Sequence, residues 1–350
     1  FHAFYILNRP SLYGTSIIRS IITWIGFDPA ITNMIMAAVY TVAILVICTL
    51  VALFYVLYER KLAGFIQYRP GPNKLGPFGL FQTVADAVKL LTKEDIVPRN
   101  ADKALHFLAP LFVFIPPILA LGAIPFGNKL VAVDLNIGML YILAVTSLST
   151  IPFFLAGWSS NNKYTMLGAM RAVSQKISYE IPVIFSVLAI TMIAGSLNMS
   201  EVVSMQGKLW FVFVQPLSFL IFFIAGIAET NRAPFDLPEG ESELTAGYLT
   251  EYSGMKWALF FLAEYCSMFV FSAMATTLFL GGWLGPVLPG WMWFVLKVHV
   301  LMTVIIWIRW TFPRIRVDKL LEFNWKILIP ASILNIFATG IGVYLFNNFF

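Results

Sequence analysis

The sequence predicts an all-α, polytopic membrane protein, and three observations carry that reading. First, 59% of its 350 residues are hydrophobic and only 12% are charged, with mean hydropathy +0.81. A soluble domain carries about 25% charged residues. Second, the apolar residues fall in runs of about 20, the length that crosses a hydrocarbon core as a helix. Third, the ten-residue alternation of a transmembrane β-barrel is absent from the sequence.

Eight spans are expected, at roughly 34–58, 105–124, 137–157, 180–195, 210–228, 257–280, 291–312 and 326–346. They form one transmembrane domain over 34–346. Residues 1–33 form a separate N-terminal interfacial segment. Its run from Ile17 to Phe27 is too short to span, and Arg19 and Trp24 suit a helix lying in the headgroup layer. No cleavable signal pattern opens the chain, as expected for a protein inserted through its own helices. The fourth span reads as short, beginning near Glu180 and Pro182.

Charge orients the spans. Segments 59–104, 158–179, 229–256 and 309–326 hold eight, three, two and five of the 23 Lys and Arg residues. The N-terminal segment, 125–136 and 196–209 hold two, one and one, and Lys297 lies inside a span. The positive-inside rule therefore places the first set on the cytoplasmic or matrix side. In the first of those loops, Pro70, Gly71, Pro72 and Asn73 force an irregular turn. After Gly79 a helical period returns, with Leu80, Val84, Val88 and Leu91 on one face. This is an amphipathic helix on the membrane surface or against a partner, or the lip of a cavity opening to lipid. The second loop carries Arg171 and Lys176, which read as cytoplasmic. In the last, Arg309, Arg314, Arg316, Lys319 and Lys326 read as topology-setting charge.

Against this background the carboxylates are anomalous. Six of the chain's 18 acids (Glu229, Asp236, Glu239, Glu241, Glu243 and Glu251) lie between Ala228 and Tyr252, with Arg232 beside them. Glu180 stands where a span begins, Glu229 where one ends, and Glu264 lies about two turns inside the sixth, flanked by Phe260, Phe261, Leu262 and Tyr265. A carboxylate at membrane depth is costly unless paired, protonated or facing water, and such residues mark proton and ion pathways. Clustered acids titrate as coupled sites, able to hold and release protons. A solvated acidic face is the plain alternative for the loop acids. Of these, Asp236 and Glu251 suit structural or solvated roles.

Redox chemistry within the chain is not expected. Cys48 and Cys266 read as small core residues, and two thiols fall short of the about four ligands of an iron–sulfur cluster. His2, His106 and His299 are scattered, and no nucleotide-binding glycine motif occurs.

Four long blocks resemble a known family: YERKLAGFIQYRPGPNKLGPFGLFQTVADAVKLLTKE, GWSSNNKYTMLGAMRAVSQKISYE, AETNRAPFDLPEGESEL and EYSGMKWALFFLAEY. They are similar, in order from about Met34 to Phe346, to the H-type membrane subunit of NADH:quinone oxidoreductase (respiratory complex I). Mitochondrial NADH dehydrogenase subunit 1 is its equivalent. The resemblance implies a protein without turnover alone, one that forms a tunnel admitting quinone from the bilayer and couples its reduction to proton translocation. It implies that Glu59, Arg60, Arg69, Asp86 and Phe261 line or support the tunnel. Glu180, Glu229, Glu239, Glu241, Glu243 and Glu264 match the family's acidic relay, with Arg171 and Arg232 supporting them. Quinone is the implied substrate, with no flavin, iron–sulfur cluster or metal in this chain. The implied partners are peripheral-arm subunits holding the terminal cluster and the quinone headgroup site, small and antiporter-like membrane subunits, and lipid, with no nucleic acid. The implied location is the bacterial cytoplasmic (inner) membrane, with the mitochondrial inner membrane as the alternative. A related component of membrane-bound hydrogenases or formate hydrogen lyases, and a secondary cation or proton transporter, stand as competing readings. The sequence lacks the paired repeats of many transporters.

Overall fold

Residues 29–128, 130–238 and 240–349 are described by a computed structural model, without the side chains of Pro29, Ala30, Asn33, Glu241, Ser242 and residues 346–349. The interfacial run 17–27 lies outside the described residues. Seven helices among those described are long and apolar enough to cross a membrane. No β-strand occurs among them beyond an isolated bridge between Gly127 and Leu130. This follows from the solvent, because hydrocarbon offers no hydrogen-bond partners and a helix satisfies its backbone within itself.

Helix α1 (Pro29–Ile66) runs two turns beyond the expected end at residue 58, so Glu59, Arg60 and Lys61 are helical. The glycine-rich turn after it is tightly packed. A Cβ on Gly64 would stand 2.8 Å from the Arg69 carbonyl oxygen. Helix α2 (Gln82–Thr92) is the expected amphipathic helix. Leu80, Val84, Val88 and Leu91 are all exposed, leaving that face uncovered by this chain. Helix α3 (Lys103–Ala123) starts on Asp102, whose carboxylate accepts from the Ala104 and Leu105 amides at 3.1 and 3.3 Å.

The third expected span is one helical stretch, Gly138–Ser159, with its hydrogen-bond ladder loosened at a single residue. Helices α4 (Gly138–Leu148) and α5 (Thr150–Ser159) meet at Ser149, ahead of Pro152, which cannot donate to the preceding turn. The fourth differs most from expectation. Helix α6 (Lys163–Ala194) is 32 residues long, so most of the supposed second loop is helical. Its polar stretch, Ser174–Glu180, reads as loop in the sequence because it interrupts hydropathy. The chain buries Gln175, Lys176, Ser178 and Tyr179 of that stretch against other helices instead. Helix α7 (Met199–Met205) follows on the Asn198 cap. The fifth span splits at Gln215 into a single turn, Phe211–Val214, and α8 (Pro216–Glu229), which at 14 residues is too short to span alone. Helices α9 (Gly254–Phe279) and α10 (Gly290–Thr311) match expectation within three residues. The last span starts earlier than expected. A short helix at Val317–Phe323 and a π-helical stretch at Asn324–Leu328 run into α11 (Ile329–Phe349).

Two groups of helices result. Helix α9 is central to the first, packed by α1, α3, α8 and α10, and 72% of its apolar stretch is buried. Helix α6 is central to the second, packed by α5, α8 and α11. Cys48 of α1 and Cys266 of α9 form a disulfide with Cα atoms 6.0 Å apart. Both are fully buried core residues, as expected, and helix packing brings them together across a sequence separation of 218.

At one junction between α6 and the last span, side chains complete what a proline leaves open. Pro182 has no N–H, so the Ser178 carbonyl one turn earlier lacks its helical donor. Asn324 Nδ2 donates to that oxygen at 2.6 Å, from the first residue of the π-helical stretch. Tyr179 Oη donates to the Leu320 carbonyl at 2.9 Å beside it. Substituting Asn324 with leucine is expected to cost about 2 kcal/mol by orphaning a buried carbonyl. The thermal midpoint of the detergent-solubilised protein checks this, with Asn324→Gln as the nearer replacement.

Candidate functional site

Two buried polar clusters form where α1, α6, α8 and α9 approach one another. The first centres on Arg232. Helix α8 closes at Glu229, and Asn231, with a left-handed φ of 54°, turns the chain out of the helix. Gln175 of α6 donates to the carbonyls of Ala228 and Phe235 at 2.6 and 2.8 Å, fastening both sides of that turn. Arg232 is thereby held with only 1% of its surface exposed. Its Nε lies 2.6 Å from Glu264 of α9, and its Nη1 lies 3.4 Å from Glu59 of α1. Its guanidinium also stacks 4.3 Å from the centre of the Tyr265 ring.

Glu59 is the acceptor on the other side. It receives Arg309 Nη1 at 2.6 Å and Tyr265 Oη at 2.6 Å besides Arg232. A buried carboxylate, Glu59, and a half-buried one, Glu264, therefore face two arginines, one of them almost wholly enclosed. Pairing of this kind is what lets charge persist at membrane depth. Phe261 joins the cluster through Tyr265, edge-on at 5.1 Å, and stacks on Trp257 at 5.1 Å. Beyond it, Arg60 Nη1 binds Asp86 of α2 at 2.5 Å, tying the end of α1 to the amphipathic helix. Arg69 is farther out. Its Nε donates to Gln67 at 2.7 Å, and it borders a surface recess of about 150 Å³ with Lys61, Phe65 and Phe78.

The second cluster lies across α8. Lys176 Nζ donates to the Glu229 backbone carbonyl at 2.7 Å and to Ser149 Oγ at 3.3 Å, and stands 4.9 Å from the Phe153 ring centre. Glu180, one turn along α6, accepts from the Ser147 hydroxyl. Beside Lys176 is a cavity of about 40 Å³ that it lines together with Glu229, Thr146, Ser149, Ser267, Pro116 and Pro117. That volume holds water, which needs about 15 Å³ and polar neighbours.

The acidic loop is less enclosed. Glu239 lies outside the described residues. Glu241 begins a single helical turn, Glu241–Leu244. Glu243 is partly exposed and binds Arg171 Nη1 at 2.5 Å. The hydrogen bond from Arg171 holds its carboxyl below the usual carboxylate range, with Arg314 and Arg316 adding to the effect. Arg314 also donates to the Leu237 carbonyl at 3.2 Å, and its guanidinium sits against Gly240, where a Cβ would push it aside. Glu251 accepts from Asn162 Nδ2 at 2.7 Å. The loop's lack of local cations is thus made good by arginines from α6 and from the segment after α10.

With its folded value depressed, Glu243 contributes to loop order above the ordinary carboxylate range. That contribution is lost as pH falls through the depressed value. The pair is solvent-screened and contributes about 0.5 kcal/mol at most. Arg171→Gln is expected to move the onset of acid-induced proteolysis of loop 230–253 to higher pH, and high salt to mimic it.

Sequence reasoning misses Arg309 and Tyr265, and it places Lys176 outside the membrane. Lys176 is in fact 6% exposed, deep in the helix bundle. The available signal is the interruption of apolar runs in WIRW and SQKISYE, where a buried charge and a loop charge look alike.

Comparison with known proteins shows what the chain is similar to. Residues 38–340 match the family described as NADH dehydrogenase. The H-type subunit of the NADH-quinone oxidoreductase of Carboxydothermus hydrogenoformans is 50% identical over 332 residues, 93% of this chain and 95% of that protein. Its counterparts in Dehalococcoides mccartyi (strain CBDB1) and Bacillus mycoides are 51% and 53% identical, over 86% and 82% of this chain and 85% and 87% of theirs. Sequence-wide similarity at this level places the chain in the NADH dehydrogenase family, alongside the H-type subunits of bacterial NADH-quinone oxidoreductases.

Proposed function

We propose that this chain forms the quinone tunnel of its oxidoreductase complex and couples quinone reduction to proton translocation. The observation that carries the reading is the buried bridge Glu59–Arg232–Glu264, with Arg309 and Tyr265 completing it. It joins the end of α1, where the tunnel residues cluster, to α9. Through Glu229 it adjoins the polar cavity of α6. Reduction of a quinone to quinol takes up two electrons and two protons. The electrons come from the terminal cluster of a peripheral-arm partner. Among the described residues no group of three or more His, Cys, Asp or Glu side chains is gathered for a metal.

In this reading Glu59, Arg60, Arg69, Asp86 and Phe261 shape the tunnel. The exposed apolar face of α2 lies against lipid or a partner and guides the isoprenoid tail. A change of charge in the tunnel acts on the Glu59–Arg232–Glu264 bridge. Glu264, Glu229 and Glu180, with the loop acids Glu239, Glu241 and Glu243, pass that change toward antiporter-like membrane subunits. A buried ion network with two arrangements is the kind of bistable element that such a local charge biases. The shared name of the relatives supports the quinone enzyme over a hydrogenase-type complex, and their bacterial sources support the cytoplasmic membrane.

Glu264→Gln tests the reading in membrane vesicles. A neutral amide keeps the shape and cannot titrate or balance Arg232. Quinone reductase rate and proton-to-electron ratio are both expected to fall. Wild-type values for both would sink the proposal.

A further inference from the structure

Lys176 is a buried cation that the acid relay leaves unexplained. Its hydrogen bonds go to a backbone carbonyl and a hydroxyl, those of Glu229 and Ser149, rather than to a carboxylate. An ammonium carries three donors, and here two are fixed while the Phe153 ring face stands 4.9 Å away. The charge is therefore held in position without being neutralised by any single acid.

Its surroundings supply three acids instead. Glu229 lines the cavity beside the amine, Glu180 stands one turn along α6, and Glu264 of α9 is near enough to act on the charge. These belong to α8, α9 and Lys176's own helix. Helices α4 and α5 face the amine with Thr146, Ser149 and Phe153, and α3 with Pro116 and Pro117, none of them charged. The nearest other cation in the network, Arg232, is engaged by Glu59 and Glu264. Glu229 thus has Lys176 as the positive charge lining its cavity, with Glu180 one turn along the same helix as the lysine.

We propose that Lys176 is the shared counter-charge of the intramembrane acids, a positioning residue that makes the charge of each depend on the others. This rests on the reading of those acids as a relay. A cation paired to one carboxylate would stabilise that one alone. A cation fixed by neutral groups stabilises whichever acid is ionised, so a proton arriving at one frees its influence for the next. Coulomb coupling of this kind is strong in a site of low dielectric, where screening is weak. The water-sized cavity beside the amine lets the protons move while the lysine stays in place.

The test uses membrane vesicles containing the whole complex, with Lys176→Gln, Lys176→Met, Lys176→Arg and Glu229→Gln variants. Oxidation of NADH by ferricyanide reports the assembled complex, because it bypasses this chain. The readouts are the pH profile of quinone reduction and the proton-to-electron ratio. Lys176→Gln keeps an N–H donor for the carbonyl but carries no charge. It is expected to move the acid limb of the profile up by about one pH unit and to lower the ratio. Lys176→Met is expected to do the same where it assembles. Lys176→Arg retains the charge, has the cavity to occupy, and is expected to stay within about 0.3 pH unit of wild type. A wild-type profile and ratio in Lys176→Gln would overturn the proposal, as would an arginine variant as defective as the glutamine one. Glu229→Gln separates the two readings. If it leaves the ratio intact, the relay itself fails. If it uncouples while Lys176→Gln does not, only the role of Lys176 fails.

Discussion

Arg232→Met is expected to abolish quinone reduction and to lower the amount of assembled complex. The guanidinium is almost wholly enclosed and faces two carboxylates on two different helices. Removing it leaves Glu59 with Arg309 and Tyr265, but it leaves Glu264 without its arginine beside an apolar side chain. Breaking a buried pair by deleting one partner costs about 4 kcal/mol, because the remaining charge is stranded. Among the described residues, the network also loses its link between α1 and α9 through a shared cation. Arg232→Lys discriminates stability from geometry. A point charge can satisfy one carboxylate well, whereas the planar fork reaches both. The lysine variant is therefore expected to assemble and to remain slow in quinone reduction. Complex content by ferricyanide reduction and quinone reductase rate, measured on the same vesicles, separate the two losses. A lysine variant with full activity would show that the fork is dispensable.

Lys297→Met is expected to destabilise the far end of the bundle without touching coupling. Lys297 is the one cation that hydropathy places inside a span, a position that ordinarily suggests function. Its amine instead donates to three carbonyls, those of Leu280, Gly282 and Leu284, at 2.6, 3.0 and 2.7 Å. It also lies 4.4 Å from the Trp210 ring centre. These carbonyls follow the C-terminus of α9, where helix carbonyls have no intrahelical donor and the dipole favours a cation. Methionine fills the space but donates nothing. The expected cost is about 3 kcal/mol, from orphaned carbonyls and a lost charge-assisted set of bonds. Thermal inactivation should come several degrees earlier, while the proton-to-electron ratio of the surviving complex stays at the wild-type value. A drop in that ratio would give Lys297 a part in coupling.

Both predictions turn on partners that are distant in sequence or in type. Arg309 and Glu59 stand 250 residues apart, and Arg232 and Glu59 stand 173 apart. Nothing local in YERKL or WIRW announces the other. The acids themselves are legible, since Glu264 among phenylalanines is costly enough to be noticed from sequence. The fourth span is misjudged for the converse reason. Gln175, Lys176 and Tyr179 make Ser174–Glu180 look like a loop, yet each has a partner on another element. Hydropathy weighs a residue against water or lipid and has no term for a carbonyl supplied by a neighbouring helix. Cys48 and Cys266 show the same limit, as two apolar-run residues that only packing brings together.

What the sequence by itself determined is the helical class, most of the spans, the amphipathic helix after the first and the presence of anomalous acids. Each is a local property, because a chain in hydrocarbon must close its backbone hydrogen bonds within each helix. Only the tertiary structure decided which charges are buried and which pair. Arg309 became part of the site, Lys297 a helix cap and Lys176 a wall of the cavity that Glu229 also lines. Burial and pairing depend on the distance between helices far apart in the chain, and at membrane depth that distance determines whether a charge is stranded or held.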